Sequence, residues 1–357
     1  MITPLADMRR GMITLVAGIF TALVSPAVAQ LTTPTVVESY LIPSGDPGIQ
    51  LYVRNKRPAG MTAFRADRTV LYVHGTTQAS ETTFDLALGG TSWMDDLAEH
   101  GWDVWLMDVR GFGGSTKPPE MDRPAADSPP IAAAPVAARD VRAAVEHILG
   151  KRGVSRISLI GWSRGSALVG WYASENPDKV HRLVLYAPGW IRTPPPSAGP
   201  PASIPAYQTW TMHQARARLQ AGAPPGKPEA LMPEAWFDAW TAAALATDPV
   251  GAARTPSVVR TPAGSLQDAR DYWNAGKPLY DPSRITAPTL IVTAEWDGLN
   301  PPTIGQALFD KLTNASVRRR SARGAPRGAI INALDDGGQD ERCLIFQEPE
   351  GSRTPSL

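Results

Sequence analysis

The sequence predicts an α/β protein: a mostly parallel central sheet flanked by helices, with a helical segment inserted before the chain returns to the sheet. Three observations carry this. Short β-branched and aromatic runs recur along the first half, each closed by a glycine-containing loop. Stretches with a helical apolar stripe lie between them. A proline-rich break near residue 194 then leads into an alanine-rich, helical stretch, and a strand-like run reappears at 288–293. Strands spaced by helices of this length build βαβ units.

Taken in order, Thr69–Val73 ends at His74-Gly75, and Trp102–Met107 is closed by Asp108-Val109-Arg110-Gly111-Phe112-Gly113-Gly114. Val136–Leu149 places Val141, Ala144, Val145 and Ile148 on one helical face. Ile157–Ile160 runs into Gly161, and Ser166–Ser174 reads as a second helix that Asn176-Pro177 stops. Val180–Tyr186 ends in Ala187-Pro188-Gly189. In parallel sheets ligands sit at the carboxyl ends of strands, where all of these loops fall. Pro194-Pro195-Pro196, Pro200-Pro201 and Pro205 exclude a strand or helix interior. Residues 206–275 then read as helical, with Trp210, Trp236, Trp240 and Trp273 spaced along them, and Pro288–Thr293 is a buried strand. The expected organisation is core at 30–189, a helical insertion at 190–280, core again at 281–314, and an atypical tail at 315–357.

Residues 1–29 are expected not to belong to the fold. Arg9-Arg10 precede an apolar run from Met12 to Val24, and Pro26-Ala27-Val28-Ala29 supplies an Ala-x-Ala site. This is the pattern of a secretory signal cut after Ala29. About 13 apolar residues fall short of the roughly 20 that a spanning helix needs. Met8 makes a tidier signal start than Met1. Cleavage would leave 33 residues of each charge sign, so the mature chain is formally neutral and carries no electrostatic signature of a nucleic-acid binder. A single cysteine excludes an internal disulfide framework and a cysteine-based zinc site. The expected location is the periplasm or the medium. With 43% apolar and 19% charged residues in 357, the chain has ample material for a core.

Gly161-Trp162-Ser163-Arg164-Gly165 follows a strand run and precedes a helix. A serine on such a sharp strand-to-helix turn needs small neighbours, and the helix behind it directs its N-terminus at developing negative charge. Together, Tyr72-Val73-His74-Gly75, then Asp108-x-Arg110-Gly111-x-Gly113-x-Ser115, then the Gly-x-Ser-x-Gly motif resemble the α/β-hydrolase superfamily. The likeness is greatest to lidded members such as esterases, lipases and peptidases, and spans roughly residues 65–190 and 285–312. The resemblance implies Ser163 as nucleophile, the amides of Thr76 and Arg164 as oxyanion donors, and a structural part for His74. It also implies a carboxylate after the strand at 290–293. Asp297, before Pro301, is the better candidate there; Glu295 and an inert surface acid are the alternatives. The implied ligand is a small acyl substrate, with no cofactor and no metal.

The resemblance also requires a histidine roughly 25–30 residues beyond the acid, and none follows Asp297. His74, His100, His147, His181 and His213 all lie upstream; only His213, in the insertion, could face Ser163. From Ser316 the character changes, with five arginines in Ser316–Gly328, no visible last strand and no Gly-x-His loop. Two readings stand: a native basic tail, or a reading frame disrupted near residues 314–318. The functional alternatives are a serine hydrolase, impaired by the missing base, and a non-catalytic relative that binds a ligand or partner.

Overall fold

A computed structural model describes residues 34–192 and 203–313, and the backbone of 317–322. The signal-like segment at 1–29 and most of the tail lie outside the described residues. The strands are β1 (Thr35–Pro43), β2 (Gln50–Pro58), β3 (Thr69–Val73), β4 (Asp103–Met107), β5 (Ile157–Trp162), β6 (Val180–Tyr186), β7 (Tyr207–Trp210), β8 (Val259–Pro262), β9 (Thr289–Ala294) and β10 (Val317–Ala322). The helices are α1 (Glu81–Phe84), α2 (Trp93–Glu99), α3 (Ala134–Arg152), α4 (Arg164–Glu175), α5 (Met212–Leu219), α6 (Pro228–Leu231), α7 (Glu234–Ala246), α8 (Pro249–Ala252), α9 (Gly264–Asp268) and α10 (Pro302–Phe309).

Eight strands form one sheet in the order β1-β2-β4-β3-β5-β6-β9-β10. The first two pairings are antiparallel and the other five parallel. Every residue of β3, β4 and β5 is buried, as expected for strands covered on both faces. Alternate residues serve opposite faces. Leu71 and Val73 pack with Val141, Val145 and Ile148 of α3 and with Leu168 and Val169 of α4. Val70 and Tyr72 pack with Met94 and Leu97 of α2 and with Phe237 and Trp240 of α7. The predicted stripe of α3 is thus its buried face. This helix stops at Gly153, whose φ of 64° is the left-handed conformation that glycine adopts without penalty.

The structure departs from the sequence reading in three places. β1 and β2 form a hairpin with a half-exposed face that went unrecognised. Within the stretch read as wholly helical, β7 and β8 pair antiparallel as a separate two-stranded sheet. The expectation of no last strand is also corrected. Val317–Ala322 runs parallel to β9, from Val317 opposite Thr289 to Ala322 opposite Ala294. The tail is therefore strand up to Ala322, and residues 323–357 lie outside the described residues.

No helix among the described residues is long and apolar enough to cross a membrane. Because Leu71 lies fully buried in the central strand β3, Leu71→Ala is expected to cost about 2–5 kcal/mol. Urea unfolding checks this: the midpoint should fall while the slope stays constant.

Candidate active site

Ser163 is the first residue beyond β5 and stands at the head of α4, with φ 56° and ψ −117°. A serine held at positive φ is strained and persists only where its surroundings over-determine it. Four hydrogen bonds do so here. Its N–H donates to Tyr186 O at 2.8 Å, and its carbonyl accepts from Ser166 N (3.0 Å), Ser166 Oγ (2.5 Å) and Gly189 N (3.3 Å). The flanking glycines are obligatory for another reason. A Cβ on Gly161 would lie 2.5 Å from Gly165 O, and one on Gly165 would lie 2.2 Å from Val73 O. Backbone atoms cannot yield as a flexible side chain can.

Ser163 is 2% exposed and borders a cavity of about 10 Å³ lined by Thr76, Thr77, Trp162, Arg218, Leu219 and Leu299. That is room for about one water molecule. The N–H groups of Thr76 and Arg164, implied as oxyanion donors, donate to no acceptor among the described residues. The Arg164 side chain is tied elsewhere: its guanidinium pairs with Asp268 at 2.7 Å, both groups buried, and also donates to Ala132 O.

His74 is buried, with Nδ1 2.7 Å from Gly75 O and Nε2 accepting from Val109 N at 3.1 Å. Both ring nitrogens are committed, so His74 ties the loop after β3 to the loop after β4. The second loop is built by its own motif. Asp108 accepts from Ser80 N and Gly114 N, and Arg110 pairs with Asp140 and Asp46. These residues are scaffold.

Asp297 is 2% exposed, whereas Glu295 lies on the surface. Asp297 Oδ1 accepts from Leu299 N (2.9 Å) and Asn300 N (2.8 Å), a carboxylate closing its own turn. Asn300 Nδ2 donates to Ala187 O at 2.8 Å, fastening this turn to the end of β6. The acid turn reaches the serine's cavity through Leu299. It reaches α5 as well, because Gly298 N donates to Ala221 O just beyond that helix.

None of the five histidines lines this cavity. His213 is exposed and sits edge-on to Phe237 at 5.2 Å, so it does not face Ser163. His100 caps the end of α2, His147 packs near Tyr40 and Trp105, and His181 is the second residue of β6. Ser163 Oγ has no hydrogen-bonding base among the described residues. Sequence reasoning missed Arg218 and Leu219, which α5 brings onto the serine. Met212, Ala215 and Leu219 form the apolar stripe of that helix, and Thr211 and Gln214 cap its start reciprocally.

Two buried groups give opposing pH responses. Burial pushes His74 down from 6.5 to about 4, so its contribution to stability is present above about 6.5 and is lost as pH falls through 4. Burial pushes Asp108 up from 3.8 to about 6, so its contribution is present below 3.8 and is lost as pH rises through 6. Replacing His74 by Gln should therefore remove about 3 kcal/mol of the stability loss between pH 7 and pH 4, while leaving the Asp108 response in place. Denaturant unfolding of both proteins across this range checks it; parallel pH profiles would contradict the assignment.

Among curated proteins none matches the sequence. Several solved structures share the fold. A bromoperoxidase from Bacillus anthracis is 17% identical, with a TM-score of 0.56, covering 87% of this chain and 99% of that one. A serine hydrolase involved in carbazole degradation is 17% identical, TM-score 0.55, covering 84% and 95%. The thioesterase domain from the curacin biosynthetic pathway is 18% identical, TM-score 0.54, covering 87% and 100%. The sequence profile of the α/β hydrolase fold family matches residues 68–325. With the parallel sheet, the strained serine turn after β5 and this match over most of its length, the chain belongs to the α/β hydrolase fold family.

Proposed function

We propose that this protein is an exported serine hydrolase, periplasmic or secreted, that cleaves an ester or related acyl bond through Ser163. The observation that carries the reading is the backbone at Ser163, a serine held at φ 56° between two glycines that admit no side chain. In this reading Ser163 Oγ attacks the acyl carbonyl carbon, the alcohol leaves, and water then releases the acyl group. The amides of Thr76 and Arg164 receive the oxyanion. Asp297 is the carboxylate that would orient a histidine and stabilise its cationic form. The residues after β6, including α5, act as the lid over the pocket.

The proton of Ser163 needs an acceptor, and no histidine borders it among the described residues. Removal of that base lowers turnover in serine hydrolases by several orders of magnitude. We attribute the absence to a disrupted reading frame. The pairing of β10 to Ala322 and a family match that runs to residue 325 support a break beyond that strand, later than the 314–318 expected from the sequence. Resequencing the gene there tests this: the alternative frames should encode a Gly-x-His followed by an amphipathic helix. The same absence favours a second reading, a non-catalytic relative that binds a ligand in the same pocket.

A fluorophosphonate probe separates the two. A serine hydrolase labels slowly in the present chain, and labelling disappears in Ser163→Ala. No labelling after prolonged exposure favours the binding protein.

A further inference from the structure

The buried and half-buried guanidiniums of this protein are, as a rule, paired. Arg54, Arg110, Arg152, Arg164 and Arg260 each hold a carboxylate at 2.5–2.9 Å. Arg218 is an exception. It lines the cavity of Ser163 beside Thr76 and Thr77, yet among the described residues it makes no ion pair and no side-chain hydrogen bond. Its one specific contact is the face of Trp210, 5.5 Å away.

Arg192 does not line this cavity, and among the described residues its side chain too makes no ion pair. It lies three residues beyond Gly189, whose N–H holds the Ser163 carbonyl, and only its backbone N–H is bonded, to Trp273 O. The two cations feel each other and both feel Asp297, and partial burial holds both below the usual guanidinium range. Asp297 already spends Oδ1 on its own turn.

A guanidinium in this state keeps its fork of donors open, and a planar carboxylate satisfies it in two parallel hydrogen bonds. Arg218 cannot be an accidental surface cation, since the turn that carries it also carries the buried Leu219 and is fixed to the acid turn through Ala221. We propose that the pocket selects acyl substrates carrying a free carboxylate, with Arg218 as the specificity-determining residue. The acyl part of this inference rests on Ser163 being the nucleophile; the binding of the anion does not. Because the cavity holds little more than a water, a carboxylate can enter it only if the Arg218 side chain or α5 is displaced.

The test is calorimetric titration of the full chain bearing Ser163→Ala, with monomethyl glutarate against methyl butyrate as probes. The anionic ester is expected to bind about tenfold tighter or more at low salt, a preference of the size that a charge-assisted pair provides. Raising the ionic strength from about 0.05 M to about 0.5 M should shrink the preference. Arg218→Gln should abolish most of it, and Arg218→Lys should keep part. Circular dichroism of each variant excludes unfolding, which the lack of an ion pair at this residue makes unexpected. Equal affinity for the two esters overturns the proposal, as does binding of neither, or a preference that Arg218→Gln leaves intact. Fluorophosphonate labelling of the unmodified chain is scored separately. Anion preference without labelling sinks the hydrolase reading alone, and labelling without anion preference sinks this one alone.

Discussion

The peptide at Ser163 is the constraint on which the surrounding structure depends. An L-residue at positive φ needs reasons to stay there, and this one has them from three directions: β6 through Tyr186, the first turn of α4 through Ser166, and the loop after β6 through Gly189. The close packing of α4 against β3 and β5 is the other side of the same arrangement. Gly165 lies where any side chain would strike the carbonyls of Val73 and His74. The sheet, the helix and the loops at its carboxyl edge are thus fitted around one backbone conformation, at the end of the sheet where parallel-sheet proteins bind their ligands.

Electrostatics divides the site into a settled half and an unsettled half. On the settled side, Arg110 with Asp140, Arg164 with Asp268 and Asp108 with two amides form closed local accounts of charge and hydrogen bonds. His74 stays neutral and joins two loops. On the other side, Arg218 lines the cavity and, among the described residues, has no bonded counter-ion. Buried charges are ordinarily paired, so this imbalance points to a group that arrives from outside.

The central fold was legible because buried parallel strands and their covering helices leave simple marks. The runs at 69–73, 180–186 and 288–293 are apolar because both faces are covered, and Val141 to Ile148 repeats at the helical period because one face is. The strands that escaped notice have other chemistry. β1 is half exposed, β8 buries Arg260 against Asp248, and β10 is largely arginine. Ser163 and Asp297 stand in short local patterns, and Thr76 and Arg164 follow from the family resemblance; Ser163 and Thr76 line one cavity, whose wall the Asp297 turn joins through Leu299. Arg218 and Leu219 carry no such pattern. They meet the serine through packing across more than fifty residues of sequence, which no local spacing encodes.

The bond from Gly298 N to Ala221 O has a consequence for how any occupant is sensed. It fastens the end of α5 to the turn that presents Asp297, and Gly222 packs so tightly against Trp296 and Gly298 that a side chain there would overlap their backbone. The roof of the pocket and the seat of the acid are therefore one mechanical piece. In the proposed hydrolase, a guest whose bulk displaced α5 would therefore displace the Asp297 carboxylate too, so that size discrimination and chemical competence would share a single moving part.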